Sequence, residues 1–440
     1  MNPGKRIAAE PWPAHASPPE IAAVPDGPVI PMRLPGSSPA GTMRVGDSLK
    51  RRCWQLEPEC LCASARRRTG LADFGSPSLE PALPVLTRSL EREAGLHLLG
   101  GFLMRTHLRG LLETRLRLAE QWRRQAEAPA GTPVRRPLFI TGMPRSGSTF
   151  LHELLAEDPG HRAPRFWEVM FPIAPAGSRG LDFRIRKAAA CLWWFRRLAP
   201  GADSVLPLRA RTPHECVAIH SYSFLSEEFI STCRIPTYEG FLRIADHRPA
   251  YVWQRRFLQH LQLGGPVRRW VLKSPDHVRH LEDLFTVFPD ALLIQTHRDP
   301  REVLPSLCRL TEVLHGLFAR PVNRQLIRAR ESRILGDSLE NTMSFRENHP
   351  ELADRFIDVQ YAELVSDPLT VVRRVYRKFD IPFTGTAGRR MESLAGARGR
   401  YRTRRARNRR EDFGIDPLEE PRFKQYYARF GFNRQTPLPT

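Results

Sequence analysis

The 440-residue chain has no run of about eighteen uncharged apolar residues, which excludes an ordinary membrane-spanning helix. Its opening, MNPGKRIAAEPWPAH, lacks the apolar core of a secretory signal, so the expected compartment is the cytoplasm. Cysteine is scarce. Seven residues, an odd number scattered along a long chain, do not make a disulfide framework and suit a reducing compartment. Cys53, Cys60 and Cys62 lie close together, but no His or Cys pair follows at zinc spacing, and no metal is expected. Negative charge is the other deficit. Asp and Glu number 47 against 68 Lys and Arg, a formal charge of +21. That balance calls for an anionic partner: nucleic acid, an acidic membrane face, or a phosphorylated or sulfated small ligand.

Hydrophobic residues make up 41% of the chain, enough for a sizeable core. Ten of the first forty residues are proline, which blocks helix and sheet pairing, so residues 1–43 are expected to be a disordered tail. Residues 44–130 are read as a helical segment packed on the core. From Leu83 to Gln125 apolar residues recur at three and four, with a break or bend near Gly100-Gly101. Residues 131–435 are read as the main domain. There, apolar strands at 138–141, 271–273, 291–297 and 355–361 alternate with helices, one from Pro275 to about Phe288. This pattern predicts an α/β fold, a P-loop-like three-layer sandwich with a central parallel sheet and helical insertions. The stretch between Phe166 and Gln262 is aromatic-rich with helical spacing. Eight arginines fall within 398–410.

The strongest local signal is LFITGMPRSGSTFLHELL, residues 138–155. An apolar strand enters a turn holding Gly142, Pro144 and Gly147, then a helix opening at Ser148 or Thr149. Small residues there let backbone N–H groups converge on an anion at a helix N-terminus. The spacing matches a nucleoside-triphosphate loop, yet Ser148 stands at the lysine position and the basic side chain is Arg145. No strand-end Asp for magnesium is evident, which argues against ATP hydrolysis.

This loop resembles the 5′-phosphosulfate loop of sulfotransferases that use 3′-phosphoadenosine 5′-phosphosulfate (PAPS). Its arginine form is similar to the bacterial and tyrosylprotein branches, where the cytosolic branch usually has lysine. The resemblance implies donor contacts from Arg145, Ser146, Gly147, Ser148 and Thr149. It continues in THRDPREVLPSL, 296–307, which is similar to the family's 3′-phosphate motif and implies that role for Arg298 and Ser306. A bidentate guanidinium and a helical hydroxyl suit a terminal phosphate, although Asp299 in the same string also reads as a plain helix cap. Tyr361 falls where the family packs a tyrosine on adenine. In all, the resemblance spans about residues 83–432.

Sulfuryl transfer needs cations where negative charge develops on the leaving oxygen, and a base at the acceptor hydroxyl. The resemblance implies Arg145 and Lys273 as the cations. Two residues compete for the base. Glu168, flanked by Phe166, Trp167 and Met170, resembles the glutamate of the tyrosylprotein-type enzymes. His277 has the better intrinsic pKa, but stands four residues after Lys273 where the cytosolic enzymes have two. The resemblance to bacterial members also implies that Glu215, beside Cys216, orients the acceptor. The expected reaction moves a sulfuryl group from PAPS to a hydroxyl, or an amine, and releases adenosine 3′,5′-bisphosphate. The acceptor is a small molecule, lipid or carbohydrate, with no obligatory nucleic acid. The competing readings are a basic nucleic-acid-binding protein and a P-loop kinase-like nucleotide-binding protein.

Overall fold

The computed structural model of the chain describes residues 55–125, 133–174, 183–199, 201–263, 265–405 and 421–432. The proline-rich segment 1–43 lies outside the described residues, and residues 49–440 form one compact unit. Among the described residues, five strands build one sheet: β1 Leu138–Gly142, β2 His161–Arg162, β3 Arg269–Lys273, β4 Leu292–His297 and β5 Phe356–Gln360. All neighbours pair parallel, in the order β2-β3-β1-β4-β5.

The central strands are buried on both faces, as their unbroken apolar runs require. Their side chains alternate between two cores. Leu138 and Ile140 join Leu292, Ile294 and Val359 beneath the helices Ser148–Ala156 and Pro368–Lys378. Phe139, Leu272 and Leu293 face the other way, into a cluster shared with helices Ala82–Glu93, Leu98–Arg124 and Arg248–Leu261. The result is the three-layer sandwich expected.

Several boundaries differ from the sequence reading. The chain breaks between Glu93 and Leu98, so that Gly100 and Gly101 sit inside the first turn of the second helix. Gly100 is required there, because an added Cβ would fall on the Phe318 carbonyl of the neighbouring helix. The helix read from Pro275 is a 3-10 turn, Pro275–Arg279, then a separate helix Leu281–Val287. The 25-residue helix Arg324–Asn348 covers the sheet beside helix Pro300–Phe318. The arginine-rich run occupies the end of helix Gly385–Arg405 and, from residue 406, lies outside the described residues.

The connection after β1 runs toward β2, while those after β3 and β4 run the other way, so a crevice opens beyond the carboxyl ends of β1 and β4. Three strand ends are laced together by hydroxyls at its base. Thr141 donates to the Ser274 carbonyl at 3.1 Å, and Thr296 donates to the Thr141 carbonyl at 3.0 Å. Gly142, at φ 116°, lies so close to β4 that a Cβ would meet the Thr296 carbonyl oxygen at 2.3 Å.

Candidate active site

The crevice holds a cavity of about 810 Å³. One end is the β1 loop and the first turn of helix Ser148–Ala156. Gly147 caps that helix in the left-handed region, with no side-chain acceptor for the leading N–H groups, which leaves them for an anion. Arg145 is also left-handed, at φ 66°, an uncommon conformation for a residue with a side chain. Its Nε donates to Ser306 Oγ at 3.0 Å, and its carbonyl accepts from Arg298 Nη1 at 2.8 Å. The loop is thereby tied to the start of helix Pro300–Phe318.

Arg298 also donates to Glu302 Oε2, through Nε at 2.8 Å and Nη2 at 2.5 Å. Its guanidinium lies 4.0 Å from the centroid of the Tyr361 ring, and that ring packs beside Gly147. Two motifs distant in sequence and the strand-end tyrosine therefore meet at one corner. Asp299 caps its helix through Arg301 N at 2.8 Å, so the cap and the arginine coexist. The buried hydroxyl of Ser146 bonds the Met143 carbonyl and Thr296 Oγ1, and locks the loop from behind. Only its backbone remains for a ligand.

Lys273 ends β3 and reaches the middle of the cavity. Its Nζ donates to Glu215 Oε1 at 2.5 Å and lies 3.4 Å from Thr149 Oγ1. Glu215 is held in place because Cys216 N donates to the Lys273 carbonyl at 2.9 Å. Burial alone would raise the Glu215 carboxyl. The charge and hydrogen bond of Lys273 outweigh it and hold the group below the ordinary carboxylate range. His152 and His214 also line the cavity. Burial keeps both rings neutral, with the Lys273 charge helping to push His152 down to about 3. Asp276, buried beside the Ser274 hydroxyl, is raised to about 6 by burial.

Neither residue expected to compete for the base lines this cavity. Glu168 is the third residue of the short helix Phe166–Met170. Its carboxylate accepts from Arg165 N at 2.9 Å and Arg162 Nη2 at 3.0 Å, which makes it a helix-start clasp. His277 is wholly buried, with Nδ1 2.8 Å from the Tyr251 hydroxyl. The 3-10 turn after Lys273 points it at helix Arg248–Leu261, and burial drives its pKa well below the usual range. The carboxylate that stands by Lys273 is Glu215, 58 residues earlier in the chain.

Leucines also line the cavity, among them Leu206, Leu208, Leu310, Leu314, Leu335 and Leu339. Arg330, Glu331, Arg279 and Glu227 also line the cavity, as a polar group apart from the loop.

A phosphate-type loop without its lysine, an arginine after β4 and a lysine at the end of β3 define a class. The sulfotransferase family model matches residues 137–385, more than half of the chain, and the chain belongs to that family. It is an enzyme of sulfuryl transfer, with PAPS as the donor general to the family. The omega-hydroxy-beta-dihydromenaquinone-9 sulfotransferase Stf3 of Mycobacterium bovis is 26% identical over 326 residues, which are 72% of this chain and 80% of that protein. The crystal structure of sulfotransferase STF1 from Mycobacterium tuberculosis H37Rv superposes with a TM-score of 0.73 at 29% identity, covering 84% of this chain and 98% of that one. Sulfotransferase STF9 from Mycobacterium avium gives 0.72 at 27%, covering 85% and 97%.

Proposed function

We propose that the chain transfers the sulfuryl group of PAPS to a hydroxyl carried on a large apolar, lipid-like acceptor. The observation that carries this reading is one cavity lined together by the β1 loop, the Lys273–Glu215 pair and several leucines. A relative that sulfates an omega-hydroxylated dihydromenaquinone supports the same acceptor class. In this reading the backbone of 145–149, with Ser148, Thr149 and Arg145, takes the 5′-phosphosulfate. Arg298 and Ser306 take the 3′-phosphate, and Tyr361 flanks the adenosine. The donor's phosphate draws Arg298 from Glu302 and Lys273 from Glu215.

Glu215, released from Lys273, takes the acceptor proton as the new O–S bond forms. The S–O bond to the donor phosphate breaks, and its electron pair stays on the leaving bisphosphate. Lys273 and Arg145 face that developing charge. The base thus moves from Glu168 and His277 to Glu215.

The test is a screen with radiolabelled PAPS. Label should pass to long-chain isoprenoid or fatty alcohols and not to sugars or tyrosine peptides; exclusive labelling of the polar acceptors overturns the reading. Arg298→Ala should weaken adenosine 3′,5′-bisphosphate by about ten- to hundredfold, the weight of a lost charged hydrogen-bond pair, with kcat changed far less. Calorimetric titration measures it. Unchanged affinity would remove Arg298 from the 3′-phosphate.

A further inference from the structure

Helix Phe183–Leu198, FRIRKAAACLWWFRRL, has five basic residues and no acidic one. Its inner face is accounted for. Ala188 and Leu192 are buried with Phe166, and Leu208 packs on the same cluster. Phe195 packs on another, with Leu103 and Phe318. Its outer face is not. Phe183 is 60% exposed, Trp193 50% and Trp194 60%. At about 3.6 residues per turn, Phe183, Ala190 and Trp194 run along one line of this face. Exposed Arg186 and Arg197 flank that line on one side, and exposed Lys187 on the other.

A second exposed apolar group lies on a helix that packs with Phe195. Leu103 sits on the cluster that holds Phe195, and its exposed neighbours Leu99 and Phe102 begin helix Leu98–Arg124. Segments that these helices pack against line the cavity. Leu208 lines the cavity while its carbonyl accepts from Arg196 Nη2 at 2.7 Å. Helix Pro300–Phe318 turns Leu310 and Leu314 to the cavity, and Val313 and Leu317 to the cluster beneath Phe195.

We infer that helix Phe183–Leu198 docks this protein on the surface of an anionic lipid bilayer, beside the Leu208 wall of its cavity. Tryptophan with an apolar body and a polar tip, set among arginines and a lysine without acids, matches the headgroup boundary of such a surface. A second copy seated face to face would oppose Arg186 and Arg197 to the same charges, which disfavours a self-contact. Among the described residues no helix is long and apolar enough to cross a membrane, so the contact lies on the bilayer. The docking stands on this face alone; only its purpose, delivery of an apolar acceptor, rests on the reading of the cavity above.

Vesicle flotation of the purified full chain tests it. The chain should bind vesicles of phosphatidylcholine with about one-third phosphatidylglycerol, bind pure phosphatidylcholine weakly, and release as salt rises. The double variant Trp193→Ser, Trp194→Ser and the triple variant Arg186→Glu, Lys187→Glu, Arg197→Glu should each lose about tenfold or more in binding, since each basic residue near such a surface contributes about fivefold. Both variants change exposed side chains and should turn over a short soluble alcohol, without vesicles, as the unmodified chain does. Retained binding in both variants assigns the attraction to other parts of a +21 chain and overturns the proposal. Binding to an acidic protein without binding to vesicles also overturns it. Failure of the unmodified chain on every alcohol, soluble or apolar, with vesicle binding intact, refutes the acceptor reading instead.

Discussion

Glu215→Gln should cut turnover by about 10²–10⁴-fold, the usual contribution of a positioned general base. Glutamine is nearly isosteric and still accepts from Lys273, so bisphosphate affinity should stay near that of the unmodified chain, while the thermal midpoint should fall with the lost charge pair. The comparison that decides is with Glu168→Gln and His277→Asn. Glu168 clasps a helix start and Arg162, and His277 is sealed against Tyr251. Both changes should therefore appear as lost stability, with turnover of the remaining folded enzyme little altered. Single-turnover assays with labelled donor and a fluorescence melt separate the two effects. A near-active Glu215→Gln beside an inactive, well-folded Glu168→Gln would return the base to Glu168.

The contrast between these carboxylates shows where the sequence was legible. Strands β1, β3, β4 and β5 were readable because buried parallel strands leave short apolar runs between helices. The β1 loop was readable because its glycines, proline and arginine are consecutive. Ser306 and Arg298 were readable as one helix-start string, although their contacts with Arg145 emerge only when β4 lies beside β1. Strand β2 has two residues and is too short to show a period.

Glu168 reads as a desolvated base because of its aromatic neighbours, whereas its carboxylate is engaged at a helix start. Its spacing of three from Arg165 is the geometry of a capping box, but arginine at the cap position hides that signature. Glu215 lies in an aromatic stretch of short helices and turns, and its tie to Lys273 is tertiary. The one local clue was its place beside a buried cysteine whose backbone N–H is held by the end of β3.

Lys273→Ala should lower turnover by about 10²–10³-fold, the scale of losing one donor to developing charge, and should also move the pH profile. In the unmodified chain burial raises the Glu215 carboxyl and Lys273 pulls it down by more, for a net position below the ordinary range. Without the ammonium, burial dominates, and the acidic limb of kcat/KM should shift to higher pH. Lys273→Arg retains the charge and should leave that limb low, with part of the rate restored. Stability carries the same sign. A carboxyl depressed in the folded state contributes stability that is present above its unfolded pKa and lost as pH falls through the folded one. In Lys273→Ala the carboxyl is raised instead, so its penalty is greatest at neutral pH and is relieved by protonation. Thermal midpoints taken from about pH 7 to pH 4 should therefore fall less steeply for Lys273→Ala than for the unmodified chain. An acidic limb unmoved in Lys273→Ala would mean that another group sets it. Asp276, raised to about 6 in the same cavity, would then be the carboxyl to replace next.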